Sequence, residues 1–265
     1  MAGRLAGKIA IITGSGQGIG KGIALRFGAE GAKVVVATRS DNGKDVEKLI
    51  REAGGEATYI KSDIGTKDAC FKLLADTEKV YGGVDIVLHN AGDFTYSSVE
   101  ELPEDAMERM LTINLKACFW LTQASLPLLR KSKSPRILFT SSVSGNSDNA
   151  RGLAVYSAAK AGVNGYVRNL ALDLAREGIT VNCVEPGYIV TEKLAIPEMA
   201  EYVNAAVSKI PINRRGTPAD IAAPFVYFAS EEASYCTGQS LVIDGGLTLT
   251  DCVDFGNAPT GAHEQ

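Results

Sequence analysis

The sequence predicts an α/β protein whose single doubly wound domain has a seven-stranded parallel sheet flanked by helices. Short runs rich in Val and Ile alternate with longer amphipathic stretches along the chain, and a glycine-rich turn joins the first run to the first helix. Such alternation is typical of strands connected by right-handed helical crossovers. The strand runs show little polar alternation, as expected for strands that are covered on both faces.

The strands are predicted at 9–13, 33–38, 57–60, 85–89, 136–141, 180–185 and 240–244. The helices between them are predicted at 19–29, 41–53, 66–81, 103–130 and 155–177. No Pro- or Ser-rich linker, repeat or change of composition divides this series. We therefore predict one domain, of the size of an enzyme, over residues 1–249.

Two segments depart from the alternation of strands and helices. The stretch 187–217 is long and irregular, with one short helical pattern near 198–209. Because ligands bind beyond the carboxyl ends of strands in such sheets, this stretch is predicted to be a lid, the alternative being a surface excursion without function. Residues 250–265 are polar and carry Gly and Pro, which indicates a C-terminal tail outside the core.

Composition excludes several classes of protein. The chain of 265 residues has 27 Lys+Arg against 31 Asp+Glu, a net charge of −4, so we expect no nucleic-acid partner. No apolar run approaches the roughly 20 residues that cross a bilayer, and the N-terminal segment lacks the pattern of a signal peptide. The 5 Cys are scattered without a C-x-x-C pair. These features predict a reduced, cytoplasmic protein without membrane contact.

The two histidines offer little catalytic chemistry. His89 lies at the end of an apolar strand, and His263 lies close to the C-terminus. Neither has the neighbouring His or Cys that a zinc site needs, so no metal is expected. A Ser-His-Asp hydrolase is equally disfavoured, because the chain has no G-x-S-x-G sequence.

The glycine-rich turn reads TGSGQGIG at residues 13–20 and leads directly into the first helix. Gly14, Gly18 and Gly20 give the pattern G-x-x-x-G-x-G. Glycines between a strand and a helix allow a pyrophosphate to approach the N-terminus of the helix closely. A merely structural turn is the alternative, but the position after the first strand favours a dinucleotide site.

The end of the second strand indicates which dinucleotide is preferred. An acidic residue at this point binds the ribose hydroxyl of NAD, whereas an arginine suits the additional phosphate of NADP. The chain has Arg39 and Ser40 there, and no carboxylate precedes Asp41. Arg39 can bind a phosphate through two hydrogen bonds, so NADP(H) is favoured over NAD(H). Asp63, after the third strand, is expected either to bind the adenine or to cap the helix near Thr66.

Tyr156 and Lys160 are four residues apart in the helix 155–177 and therefore lie on one face of it. A nearby ammonium group favours the tyrosinate, so Lys160 is expected to lower the pKa of Tyr156 from about 10. Such a phenol can donate a proton to a developing alkoxide or accept one from an alcohol. The pair alone is a weak signal, because exposed helices often carry it.

Together with other motifs, the pair makes the chain resemble the short-chain dehydrogenases/reductases, a family with the Rossmann fold. The resemblance extends from residue 8 to about residue 249 and is nearest to the β-ketoacyl-carrier-protein-reductase-like branch. It is carried by the turn at 13–20, Asn90-Ala91-Gly92, Asn114, Ser142, Tyr156-x-x-x-Lys160 and Pro186-Gly187.

The resemblance implies a role for each member of the catalytic set. Tyr156 would be the general acid/base, and Lys160 would bind the nicotinamide ribose. Ser142 would bind the substrate oxygen, and Asn114 would hold a water in a proton relay. The implied cofactor-binding residues are Gly14, Ser15, Gln17, Gly18, Ile19, Gly20, Arg39, Ser40, Asp63, Ile64, Asn90, Ala91, Gly92, Tyr156, Lys160, Pro186, Gly187, Ile189 and Thr191.

We therefore predict an NADP(H)-dependent oxidoreductase that interconverts a carbonyl and an alcohol and, like its family, assembles as a homotetramer. Reduction of a 3-oxoacyl thioester on an acyl carrier protein is the alternative activity, although Glu177 stands where those reductases have a basic docking residue. A non-catalytic NADP(H) sensor is the third alternative. His89 replaces the first Asn of the family's Asn-Asn-Ala-Gly motif, which we interpret as a packing substitution.

Overall fold

A seven-stranded parallel sheet in the order β3-β2-β1-β4-β5-β6-β7 forms the centre of the protein. The computed structural model describes residues 3–146, 150–192, 205 and 207–249. The strands are β1 (Ile9–Thr13), β2 (Lys33–Thr38), β3 (Glu56–Lys61), β4 (Ile86–His89), β5 (Arg136–Thr140), β6 (Thr180–Pro186) and β7 (Ser240–Ile243). The predicted fold class is confirmed, and each predicted strand is present, with its ends unchanged or shifted by one residue.

The helices cover both faces of the sheet. They are α1 (Gly18–Ala29), α2 (Gly43–Glu52), α3 (Lys67–Tyr81), α4 (Glu104–Leu111), α5 (Ala117–Leu129), α6 (Ala154–Leu174) and α7 (Pro218–Ala229). Helices α1, α2 and α7 pack on one face, whereas α3, α5 and α6 pack on the other. Successive strand residues point to opposite faces of the sheet. In β1, Ile11 packs in the core under α3, α5 and α6, and Ile12 packs in the core under α1, α2 and α7. Burial on both faces explains why the strands read as continuous apolar runs.

The predicted helix 103–130 is interrupted by a π-helical turn. The segment consists of α4, the turn Thr112–Lys116 and α5. The turn keeps the backbone helical and contains no Gly or Pro, which is why the sequence reads as one helix. Such turns often occur at functional sites, and this one contains Asn114.

Helix α7 is absent from the helices that the sequence analysis predicts, although its start carries a clear signal. The Thr217 hydroxyl accepts a hydrogen bond from the backbone N–H of Asp220, and the Asp220 carboxylate accepts one from the N–H of Thr217. This reciprocal arrangement is a capping box, with Pro218 at the first helical position. The helix closes the same face of the sheet as α1.

Some predicted segments lie wholly or partly outside the described residues. These are the tail at 250–265 and residues 193–204 and 206 of the lid, which include eight of the twelve positions of the helical pattern at 198–209. Among the described residues, no helix is long and apolar enough to cross a membrane. Within the same residues, no group of three or more His, Cys, Asp or Glu side chains could hold a metal ion.

The order of the strands creates a crevice at the carboxyl ends of β1 and β4. The chain winds outward in one direction through β2 and β3 and in the other through β4 to β7. At such a switch point the two loops that leave the central strands diverge, and a ligand can enter between them. The glycine-rich turn after β1 and the segment after β4 form the two sides of this crevice.

Candidate active site

A cavity of about 500 Å³ occupies the crevice and collects nearly all of the predicted site residues. It is lined by Gly14, Gln17, Gly18, Ile19, Gly20, Arg39, Ser40, Asp63, Ile64, Asn90, Ala91, Gly92, Ser142, Tyr156, Lys160, Pro186, Gly187, Ile189 and Thr191. Ser15 and Asn114 lie outside this lining. Residues that are far apart in the sequence therefore meet in one pocket that runs from the glycine-rich turn to the start of α6.

Close backbone approach explains the glycines of the turn. Gly14 has a φ of +65°, and a Cβ atom there would lie 2.7 Å from the Cα of Ala91. A Cβ on Gly20 would lie 2.3 Å from the Gly14 carbonyl oxygen. Ser15 is buried, and its hydroxyl donates a hydrogen bond to the Ile12 carbonyl at 2.7 Å. Its side chain therefore stabilises the turn, and the implied contact of Ser15 with the cofactor stays a prediction.

Glu192 lies at the N-terminus of α1, where the sequence analysis did not expect a charged group. The backbone N–H of Gly18 donates a hydrogen bond to Glu192 Oε2 at 2.9 Å. The first N–H groups of a helix attract anions, because they lack partners within the helix and carry partial positive charge. Since Gly18 and Glu192 are separated by 174 residues, no local pattern in the sequence indicates this contact.

The end of β2 presents Arg39 and Ser40 to the cavity. The Ser40 hydroxyl donates a hydrogen bond to Asn42 Oδ1 at 3.0 Å. The nearest carboxylate, Asp41, instead accepts a hydrogen bond from Lys61 Nζ at 3.2 Å, and this contact lowers the pKa of Asp41. The basic side chain at this strand end thus faces the cavity, while the acidic one is bound to a lysine outside it.

Asp63 and Ile64 line the cavity beyond β3. Asp63 Oδ1 accepts a hydrogen bond from the backbone N–H of Gly65 at 3.2 Å. The cap of α3 is Thr66, whose hydroxyl accepts from the N–H of Ala69 at 3.2 Å. Of the two roles expected for Asp63, capping the helix is therefore wrong, because Thr66 performs it.

Asn90 joins the ends of three strands. Its amide Nδ2 donates to the carbonyl oxygens of Thr13 at 3.3 Å and of Gly14 at 3.4 Å. Its Oδ1 accepts from the Thr140 hydroxyl at 3.2 Å. This side chain holds the glycine-rich turn against β4 and β5, which gives the floor of the cavity a defined shape.

His89 is buried and makes two structural hydrogen bonds. Its Nε2 lies 3.0 Å from the Ile113 carbonyl oxygen, and its Nδ1 lies 2.9 Å from the Thr13 hydroxyl. A carbonyl can only accept, so we assign the proton to Nε2, and the Thr13 hydroxyl donates to Nδ1. Burial lowers the pKa of His89 to about 3, which keeps the ring neutral. These contacts agree with the interpretation of His89 as a packing residue.

Asn114 is fully buried in the π-helical turn. Its Nδ2 donates to the carbonyl oxygens of Asp93 at 2.6 Å and of Met110 at 2.9 Å, and its Oδ1 accepts from the N–H of Asp93 at 3.4 Å. The amide therefore holds the segment that follows β4. The implied water-binding role of Asn114 stays a prediction, since these contacts occupy the side chain.

Ser142, Tyr156 and Lys160 meet at one end of the cavity. Lys160 Nζ donates to the Thr140 carbonyl at 2.8 Å and lies 5.5 Å from the centre of the Tyr156 ring. The Ser142 hydroxyl accepts from the N–H of Ser144 at 3.2 Å at the start of a 3-10 turn. The neighbouring Ser141 instead donates its hydroxyl to the Lys160 carbonyl at 3.2 Å.

Burial controls the ionisation of this group. It raises the pKa of Tyr156 to about 12, against the opposing effect of a hydrogen bond with Ser142. It also lowers the pKa of Lys160 to about 8. The pKa of Tyr156 is thus raised in this structure, against the expected lowering by Lys160, because burial has the largest effect on it.

A buried carboxylate at the end of the turn that begins at Ser142 was missed in the sequence. Glu185 in β6 is 1% exposed, and its two oxygens accept hydrogen bonds from Asn146 Nδ2 at 2.8 and 3.0 Å. The Ser240 hydroxyl of β7 donates to the same carboxylate. Glu185 thus ties the end of the turn that begins at Ser142 to β6, one residue before Pro186. Its position inside an apolar strand is the only local sign of this role.

Aromatic side chains and one ion pair line the cavity beyond Tyr156. Phe94 lies edge-on to Tyr156 and to Tyr96, with ring centres 6.0 and 5.6 Å apart. The Arg109 guanidinium binds Asp93 through Nε–H···Oδ2 at 2.8 Å. These groups come from α4 and from the segment after β4, which the sequence analysis did not assign to an element.

Comparisons with known proteins agree with this geometry. The family model described as enoyl-(acyl carrier protein) reductase matches residues 14–248. The 3-oxoacyl-[acyl-carrier-protein] reductase of Thermotoga maritima is 36% identical over 93% of this chain and 100% of its own length.

Two solved structures share the fold over almost the whole chain. A short-chain type dehydrogenase/reductase from Mycobacterium marinum superimposes with a TM-score of 0.87 and 34% identity, over 92% of this chain and 96% of the other. A putative NAD(P)-dependent gluconate 5-dehydrogenase from Beutenbergia cavernae with bound NADP has a TM-score of 0.86 and 33% identity, over 92% and 97%. The chain belongs to the short-chain dehydrogenase/reductase family, in its β-ketoacyl-carrier-protein-reductase-like branch.

Proposed function

We propose that the protein is an NADP(H)-dependent oxidoreductase that transfers a hydride between the nicotinamide and a carbonyl or alcohol substrate. This proposal rests on the position of Ser142, Tyr156 and Lys160, which lie together at one end of the cavity. The glycine-rich turn lies at the other end. The bound cofactor supplies the hydride, while the chain binds both reactants and supplies the proton.

The residues present fit a dinucleotide. Helix α1 offers backbone N–H groups to a pyrophosphate, and Gly14 and Gly20 allow the tight turn that leads into it, because a Cβ atom at either position would meet neighbouring backbone. Arg39 is placed for the phosphate that distinguishes NADP from NAD, because the nearby Asp41 is bound to Lys61. One structural relative that contains NADP is consistent with this preference.

Tyr156 is proposed as the general acid in reduction. A phenol with a pKa of about 12 keeps its proton at neutral pH, so it is available to an oxygen on which negative charge develops. Ser142 is proposed to donate a second hydrogen bond to that oxygen. Lys160, with a pKa of about 8, is mostly charged at neutral pH and favours the same build-up of negative charge.

Reduction of a carrier-bound 3-oxoacyl thioester is the alternative activity. It would require a basic surface that binds an acidic carrier. The structure disfavours this surface near Glu177, whose carboxylate accepts two hydrogen bonds from Arg130, at 2.6 and 3.1 Å. Turnover of a carrier thioester at a higher kcat/KM than free ketones would establish this activity. The non-catalytic sensor would instead bind NADPH without turning over any carbonyl.

Further properties follow from the family and stay proposals. We propose one catalytic domain over residues 1–249, with a lid at about 187–217 and a tail at 250–265. A homotetramer in the cytoplasm is the assembly and location that we expect. Sedimentation of the purified chain would measure the assembly.

The test of the proposed function is the oxidation of NADPH by the purified protein with a panel of ketones, β-ketoesters, quinones and steroids. We expect carbonyl-dependent loss of the absorbance of the reduced nicotinamide, with NADPH used in preference to NADH. Absence of oxidation with every carbonyl, although NADPH binds, would refute the proposal and favour the sensor.

Replacement of Glu192 is expected to strengthen cofactor binding. Its carboxylate occupies the N–H of Gly18, and the cofactor phosphates must displace it. Glu192→Gln removes the competing charge, so we expect the dissociation constant of NADPH to fall about 2- to 5-fold, the size of a charge interaction at an exposed helix end. Fluorescence titration with NADPH measures the change.

Glu108→Gln is the matched control, because Glu108 is an exposed acid that binds Lys116 outside the cavity. The control should leave the dissociation constant unchanged. Weaker NADPH binding by Glu192→Gln would show that Glu192 supports the bound state and that its contact with Gly18 is not competitive.

A further inference from the structure

The lining of the cavity includes residues outside the proposed cofactor site, and these carry distinctive chemistry. Beyond Tyr156 it is lined by aromatic and aliphatic side chains, with the ion pair of Asp93 and Arg109 beside them. This part of the cavity would contact a substrate whose oxygen is bound by Ser142 and Tyr156. Its side chains therefore indicate the class of substrate.

The aromatic side chains form a connected row that starts at the catalytic phenol. The Phe94 ring is edge-on to Tyr156 with an interplanar angle of 69° and edge-on to Tyr96 with an angle of 79°. Tyr96, at the outer end, is 42% exposed. A substrate whose carbonyl lies at Tyr156 would extend along this row. Aromatic rings favour contact with other rings by about 0.5–1.5 kcal/mol per pair beyond the area buried.

Aliphatic residues supply further apolar lining. Val143 follows the catalytic serine directly and is 4% exposed, and Leu153, at the start of α6, is 7% exposed. Both line the cavity together with Phe94. Apolar groups near the reacting carbonyl favour a substrate with little polar surface close to the oxygen.

The charges of this region have partners within the protein. Arg109 binds Asp93 at 2.8 Å, and Lys160 donates to the Thr140 carbonyl at 2.8 Å. A carboxylate or phosphate on the substrate would have to compete with the Asp93 carboxylate for Arg109 to gain an anchor. Among the described residues, the substrate end therefore favours a neutral molecule.

We propose that the substrate is an uncharged ring ketone, or the corresponding secondary alcohol, whose ring system contacts Phe94 and Tyr96. This inference rests on the proposed function, since it names the substrate class of that site. It distinguishes the protein from a reductase of short hydroxy or sugar acids, which need a cationic anchor. The proposal also distinguishes the protein from a reductase of flexible acyl chains. Such chains would bind an aliphatic lining as well as an aromatic one.

The test compares β-tetralone with methyl octyl ketone, which contain the same number of carbon atoms, with NADPH as the reductant. We expect kcat/KM to be about 5- to 10-fold higher for β-tetralone, the ratio that corresponds to one or two ring contacts. Phe94→Leu keeps apolar volume but removes the ring, so it should reduce that ratio to about 1 or 2. The dissociation constant of NADPH should not change.

Phe71→Leu is the matched control, because Phe71 lies on α3, outside the cavity, and is 43% exposed. It should keep the wild-type ratio of the two ketones. A second comparison uses a cyclohexanone carboxylic acid and its neutral methyl ester, and we expect the ester to have the higher kcat/KM.

Each contrary result has a separate meaning. Equal kcat/KM values for the two ketones, an unchanged ratio in Phe94→Leu, or preference for the carboxylic acid over its ester would overturn the substrate assignment while the oxidoreductase function stands. A protein that binds NADPH but reduces none of these carbonyls, nor any of the wider panel, would overturn the proposed function and the substrate assignment with it.

Discussion

Tyr156→Phe is expected to lower kcat by about 10²- to 10⁴-fold, the contribution typical of a positioned general acid. The substitution removes only the hydroxyl and leaves the ring that packs edge-on against Phe94. The buried oxygen of the substrate would then lose the group that delivers its proton. Steady-state rates with any reduced carbonyl measure the loss, and the dissociation constant of NADPH should change less than about 2-fold, because the ring remains in place.

Tyr166→Phe is a closely matched control for this substitution. Tyr166 lies on the same helix, and burial also raises its pKa to about 12. It packs against Phe119 and Phe139, away from the cavity. Loss of this hydroxyl should affect kcat little. Full activity of Tyr156→Phe, or an equal loss in both variants, would rule out Tyr156 as the general acid.

The sequence was sufficient to predict the sheet and the principal motifs, because both depend on local patterns. Burial on both faces makes each strand a continuous apolar run, as in β1 and β2. Tyr156 and Lys160 lie on one helix, and residues 14–20 form one turn. In each motif the separation along the chain therefore determines the distance between the residues. The π-helical turn was not predicted, because residues 112–116 contain no Gly or Pro that would mark an interruption of the helix.

Contacts between distant segments could not be predicted in this way. Glu192 reaches Gly18, and Glu185 reaches Asn146 and Ser240, only because the sheet brings the ends of separate strands together. No periodicity marks these residues. The ionisation of Tyr156 was mispredicted for a related reason. The sequence shows the nearby lysine but not the burial, which has the larger effect on its pKa.

Arg39→Ala is expected to weaken NADPH binding by roughly 10- to 100-fold, which corresponds to the loss of one charge-assisted contact of about 1.5–3 kcal/mol. The reason is that Arg39 is proposed to bind a phosphate that NADH lacks. Affinity for NADH should therefore stay the same, and the preference between the two cofactors should largely disappear. Fluorescence titrations of the parent protein and the variant with both cofactors give four dissociation constants. These show whether Arg39 determines the preference for NADPH.

Lys48→Ala is the control for the loss of one positive charge on α2, the helix that follows β2. Lys48 is exposed on α2 and pairs with Glu52, so its removal should weaken NADPH binding little. Because a general electrostatic effect is screened by salt and a direct contact much less so, the difference between the two variants should persist at high ionic strength. Equal affinity of the parent protein for NADPH and NADH would contradict the assignment of Arg39. A parallel loss of both affinities in Arg39→Ala would instead mean that Arg39 supports the shape of the turn after β2, and that the choice of cofactor is made elsewhere.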